Sequence, residues 1–369
     1  MPAADCDGFG GVLRAMALPL SCPTMSDLSQ SLFLKACRRE AVPRPPVWMM
    51  RQAGRYLPEY RAVRQKVDFI SLCRTPDLAA EVTLQPIDIL GVDAAVIFSD
   101  ILVLPEAMGI PVTFEERGGP KLSRRISTGG DVESLIPPDP ASDLRFVGDA
   151  IRRVRRALEP RGIPVLGFAG APFTLAAYMI EGETSRDFTK TRRAMHADPA
   201  LFRRLLGKIA DAVGHFLRFQ IESGASAVQI FDTWAGLLDK EIFRSFALPA
   251  ISRALDAVKG LGAPIILYVN GSAQHIESMA QSGADVISVD WRVPLDEVRG
   301  RVGDRVGIQG NLDPAALYAP PDRVRELTSA MLARHPGPGL VANLGHGIFP
   351  DTPVEGARAF VDTIREWRA

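Results

Sequence analysis

Ile265-Ile266-Leu267-Tyr268-Val269-Asn270 is an unbroken apolar run that stops at an amide. Alternating apolar and polar residues mark a strand with one wet face. An unbroken run marks a strand buried on both faces, as in a parallel sheet covered by helices. Seven more runs stand out: Val47-Trp48-Met49-Met50 and residues 94–98, 165–168, 227–231, 286–289, 306–309 and 340–344. Helical patterns lie between them, among them residues 144–158, 199–223, 240–261 and 322–333. Eight strands alternating with helices predict an α/β fold, a single (β/α)8 TIM barrel. The structural competitor is a doubly wound open sheet, but no G-x-G-x-x-G follows the first strand.

Composition narrows the function. The chain has 369 residues, 47% hydrophobic and 23% charged, with 43 basic and 43 acidic side chains. That is ample for a core, and the zero net charge speaks against a dominant nucleic-acid role. No stretch reaches the roughly 18 consecutive apolar residues of a membrane span. Cys6, Cys22, Cys37 and Cys73 form no C-x-x-C pair, so free thiols in a reducing cytoplasm are expected, with no metal cage. Residues 1–24 are rich in Gly, Ala and Pro and read as a disordered N-terminal extension, with Met25 an alternative start; residues 25–369 read as one barrel domain. The run Arg152-Arg153-Val154-Arg155-Arg156 sits in an amphipathic pattern and reads as a solvated helix face. Gly118-Gly119 and Gly129-Gly130 read as loop tips around a β-rich insertion.

In such barrels the reactive side chains stand at the carboxyl ends of strands. Here those ends carry Arg51 to Arg55, Asp100, Asp232-Thr233, Asn270, Asp290, Asn311 and His346, with Tyr178 just beyond the third. Arg51 and Arg55 share a face if the loop continues as a helical turn. Guanidinium forks suit a ligand with several carboxylates or phosphates; ion pairing with Glu59 or Glu81 accounts for them equally. Asp100 reads either as a helix N-cap or as a carboxylate in a dry pocket that stabilises positive charge. His346 lies between two glycines, which allow close backbone approach. No H-E-x-x-H, G-x-S-x-G or P-loop occurs.

Two stretches decide a resemblance. Residues 46–61, Pro-Val-Trp-Met-Met-Arg-Gln-Ala-Gly-Arg-Tyr-Leu-Pro-Glu-Tyr-Arg, and residues 167–175, Gly-Phe-Ala-Gly-Ala-Pro-Phe-Thr-Leu, resemble the signatures of the uroporphyrinogen decarboxylase family. Residues 97–102, 309–314 and 343–347 support it, in order and with compatible spacing over about residues 29–366.

The resemblance implies a cofactor-free, metal-free, cytoplasmic homodimer, built as a single barrel. Such an enzyme removes CO₂ from the four acetate arms of uroporphyrinogen III to give coproporphyrinogen III, in haem and tetrapyrrole biosynthesis. It implies Asp100 and Arg51 as catalytic residues. Substrate contacts carry over to Arg51, Gln52, Ala53, Gly54, Arg55, Arg64, Phe69, Asp100, Tyr178 and His346, and to Thr233, where many relatives carry serine. A substrate with eight carboxylates and four inward N–H groups suits an arginine mouth around one central carboxylate. Corrinoid-dependent methyltransferases share the barrel but hold zinc through an H-x-C at a strand end, where this chain reads Leu267-Tyr268-Val269-Asn270. A carrier that kept the pocket without turnover is the other alternative.

Overall fold

The computed structural model describes residues 28–115, 119–335 and 337–368. The N-terminal extension expected at 1–24, with Met25, Cys6, Cys22 and Gly118, lies outside the described residues. Among the described residues nine strands form two sheets: β1 (Ala95–Val96), β2 (Val112–Glu115), β3 (Gly119–Leu122), β4 (Val165–Gly170), β5 (Ala227–Asp232), β6 (Ile265–Val269), β7 (Val286–Ser288), β8 (Gly307–Leu312) and β9 (Leu340–Leu344). Seven of them make one parallel sheet in the order β1-β4-β5-β6-β7-β8-β9, and β2 and β3 form a separate hairpin. Helices separate the barrel strands and cover the sheet. The longest are Pro199–Glu222, Pro76–Leu90 and Arg145–Leu158.

The sheet curls as a TIM-barrel wall, with one departure from the expected eight strands. Residues 47–50 form a single bridge, Val47 to Ala342, and no extended strand. The segment still stands between the two edges of the sheet. Ala342 N–H donates to Pro46 O and Trp48 N–H to Ala342 O on one side, while Asp93 N–H donates to Val47 O on the other. The chain then leaves the wall at Arg51, whose φ of 65° is left-handed, a backbone state that ends extended pairing. Arg44 pins the near end by a two-pronged pair to Asp93, at 2.7 and 2.8 Å.

Inside the wall, a buried polar chain crosses the floor. Trp48 Nε1 donates to Gln309 Oε1 at 2.9 Å, and Gln309 Nε2 donates to Gln229 Oε1 at 3.0 Å and to Ser288 Oγ at 2.8 Å. Each of these groups finds its partner, so the floor can be polar without an orphan penalty.

Other expectations shift at their edges. The helix expected over 240–261 is Lys240–Ile242, a wider π-type turn at Phe243–Ala247, and Leu248–Asp256. Gly129-Gly130 opens a short helix, Gly129–Glu133, under a Thr128–Asp131 capping box. The basic run does face solvent: Arg152, Arg153 and Arg155 pair with Asp149, Asp77 and Glu159.

Candidate active site

At the carboxyl end of the barrel strands lies a cavity of about 380 Å³, lined among others by Arg51, Ala53, Asp100, Tyr178, Thr233 and His346. These six expected residues come from five separate segments and meet because each follows a wall segment or, for Tyr178, lies on the helix Pro172–Glu181 after one. A second, open basin of about 850 Å³ holds Arg55, Arg64 and Phe69. Phe114, from the β2–β3 hairpin, borders both spaces. Phe69 packs on it at 4.9 Å and on Phe98, another cavity residue, at 5.9 Å between ring centroids. The expected residues therefore divide between an inner chamber and an outer basin separated by an aromatic wall.

Two of them stand apart. Gln52 is wholly buried; its Oε1 accepts from Met49 N–H and its Nε2 donates to Ala94 O, each at 3.0 Å. Its side chain braces the wall and lines neither space. Gly54 lines neither space, and a Cβ there meets Arg51 O at 2.8 Å. Gly54 thus lets the turn fold tightly behind Arg51. That turn is irregular, and the helix starts only at Pro58. The helical sharing of a face by Arg51 and Arg55 is not observed: they point to different spaces.

Asp100 follows β1. Its Oδ1 accepts from Leu102 N–H at 2.8 Å, and its other oxygen accepts no hydrogen bond among the described residues. Both readings of this residue are thus partly realised, with one oxygen capping a turn and the other left for the chamber. Burial pushes its pKa up to about 6, against the pull of the Leu102 N–H and the Arg51 guanidinium. The Arg51 and Arg55 side chains make no ion pair with Glu59 or Glu81 among the described residues, so the guanidiniums remain open for a ligand. Arg51 lies over Gly347, where any Cβ would strike its side chain.

His346 Nδ1 accepts from Gly347 N–H at 2.7 Å. Burial, with Arg51 nearby, holds its pKa down to about 4. The ring is therefore neutral near pH 7, with its proton on Nε2. Burial raises the Tyr178 pKa, so its hydroxyl stays a donor.

The remaining polar strand ends brace loops. Asp290 is buried and accepts from Gly271 and Ser272 N–H, and Asn311 Nδ2 donates to Asp290 O and Val293 O. Asn270 Oδ1 accepts from Arg292 at 3.3 Å. No group of three or more His, Cys, Asp or Glu is placed to hold a metal ion among the described residues.

Sequence reasoning missed much of the apolar lining, including Trp48, Phe168, Phe231 and Trp234, and it missed Lys66 in the outer basin. The available signal was position. Each of these aromatics lies in a barrel-wall run or just past its end.

The uroporphyrinogen decarboxylase family model matches residues 28–367. The chain belongs to this family. A uroporphyrinogen decarboxylase of Hydrogenovibrio crunogenus is 46% identical over 348 residues, 93% of this chain and 98% of the relative. One from Chloroherpeton thalassium is also 46% identical, over 92% of this chain and 98% of its own. Among solved structures, a methyltransferase from Methanosarcina mazei superposes with a TM-score of 0.76 over 91% of this chain and 98% of its own, at 21% identity. That likeness speaks to the barrel alone. At the strand end where the methyltransferase alternative needed zinc ligands, this uroporphyrinogen decarboxylase family member has Tyr268, whose hydroxyl donates to Gly345 O at 3.0 Å.

Proposed function

We propose that this chain decarboxylates the four acetate arms of uroporphyrinogen III to give coproporphyrinogen III, and that the inner chamber is where it does so. The observation that carries the site reading is the free oxygen of Asp100, set beside an unpaired Arg51 in a largely apolar chamber. One carboxylate there accepts hydrogen bonds from the inward pyrrole N–H groups. Arg51, with Arg55, Arg64 and Lys66 across the basin, takes the carboxylate arms. Tyr178, Thr233 and neutral His346 offer hydrogen bonds around the ring.

Losing CO₂ from an acetate needs an electron sink. Protonating the pyrrole carbon makes the ring a cation, the C–C bond to the carboxylate breaks, and its electron pair flows into the ring. CO₂ leaves, the resulting methylene takes a proton to become methyl, and the ring gives its added proton back. Ionised Asp100 stabilises the cation through space, an effect that the low local dielectric strengthens. Arg51 stands closest in role to the acetate and its proton, though a guanidinium deprotonates too reluctantly to act without a relaying water. The test is CO₂ release from anaerobic uroporphyrinogen. Four equivalents per tetrapyrrole are expected, and none would contradict the reading.

We further propose a cytoplasmic homodimer. No described helix is long and apolar enough to cross a membrane, and Cys37 and Cys73 are buried free thiols, in keeping with a reducing compartment. Leu237, Tyr318 and Phe349, each about 40% exposed (42%, 43% and 40%), follow β5, β8 and β9, the first two at the ends of the 3-10 helices Ala235–Leu237 and Pro314–Tyr318. Large apolar side chains at one rim suit a second copy. Light scattering should give twice the chain mass; a single-chain mass at micromolar concentration would contradict this.

A further inference from the structure

Trp234 lines the chamber one residue past Thr233, and an unusual amount of structure is devoted to holding it. Its backbone N–H donates to Thr174 Oγ1 at 3.1 Å. The Thr174 hydroxyl has one proton and donates it to Asp232 Oδ1 at 2.6 Å, with both side chains wholly buried. The indole ring is clamped as well. Phe188, wholly buried, packs on it with centroids 4.5 Å apart. Phe188 holds a φ of 46°, a left-handed state costly for a bulky side chain and kept only where surrounding structure enforces it. Tyr178 completes the cluster, at 6.2 Å from the Trp234 ring and 6.1 Å from Phe188.

Amid this packing, the Trp234 Nε1–H is buried and makes no hydrogen bond of good geometry among the described residues. An unmade buried donor is costly, so its retention in a tightly held residue calls for a partner that arrives later. Trp234 and the Thr184 side chain both stand by the Tyr178 hydroxyl, and of the two only the indole N–H is a buried donor left without a partner.

We infer that Trp234 is a positioning residue for Tyr178: once the Tyr178 hydroxyl donates its hydrogen bond to substrate, the indole N–H closes on the phenolic oxygen and holds the hydroxyl toward the substrate. A donor behind the oxygen both restricts its rotation and polarises its O–H bond. The inference rests on Tyr178 being a substrate contact.

The experiment is a double-mutant cycle with reduced uroporphyrinogen, using Tyr178→Phe, Trp234→Phe and the pair. Trp234→Phe deletes the N–H and keeps a ring. It should raise KM about tenfold with kcat within about twofold; the smaller ring also loses packing on Phe188 and lowers Tm, a loss that Trp234→His shares, so the comparison of the two isolates the N–H. In the Tyr178→Phe background, Trp234→Phe should add nothing. Trp234→His, which keeps a ring N–H, should hold KM closer to the parent than Trp234→Phe does. An unchanged KM in Trp234→Phe, multiplying effects in the pair, or the reverse order of His and Phe would each overturn the inference. A silent Tyr178→Phe would instead overturn the substrate-contact reading of Tyr178.

Discussion

Asp100→Asn should lower kcat by roughly 10²–10³-fold, the loss typical of removing one group aimed at charge that develops in a transition state. The substitution keeps the shape and the acceptor for Leu102 N–H, so the chamber should stay intact. What it removes is the negative charge. If Asp100 only shaped the turn, asparagine would serve as well and kcat would hardly move. The pH dependence carries the same claim. With its pKa pushed up to about 6 by burial, Asp100 is ionised at pH 7.5 and largely protonated at pH 5. The rate of the parent enzyme should therefore fall as pH drops through about 6, while Asp100→Asn should show no such limb. A rate that rises on acidification through that range would mean the protonated acid is the working form.

Arg51→Lys should cost about 10² in kcat/KM, part of it in kcat. The charge survives, but the fork does not. A lysine offers a point charge where a carboxylate is held by two parallel N–H groups, and a misplacement near 1 Å is enough for a loss of this size. Arg51 is also held in place, by a left-handed backbone at 65° and by Gly347 beneath its side chain. Steady-state kinetics at saturating substrate separate the two roles. A raised KM with unchanged kcat would leave Arg51 as a binding residue and remove it from the chemistry.

Much of this site is legible in the sequence because a barrel puts strand ends together. Once residues 227–231, 265–269 and 340–344 read as buried parallel strands, the polar residues that follow them share one mouth. Thr233 and His346 meet Asp100 for that reason alone. Side-chain direction in an irregular turn is less legible. Gln52 sits between two chamber residues, yet points into the wall, because the turn after Met50 has no period to read. The first stave is misjudged for a related reason. Residues 47–50 are as apolar as a strand, but the left-handed turn at Arg51 leaves room for a single bridge pair. Trp234 escapes notice because an aromatic just past a strand end reads as core; only its unmet N–H distinguishes it. The β2–β3 hairpin reads as an insertion without chemistry, and only the fold brings Phe114 and Pro120 to the chamber wall.

Metal-free decarboxylation is tested by product chromatography after anaerobic incubation of the protein with freshly reduced uroporphyrinogen III in excess chelator. Hepta-, hexa-, penta- and finally tetracarboxylate products should appear in sequence. Substrate that binds and stays unchanged, or turnover that the chelator abolishes, would contradict it.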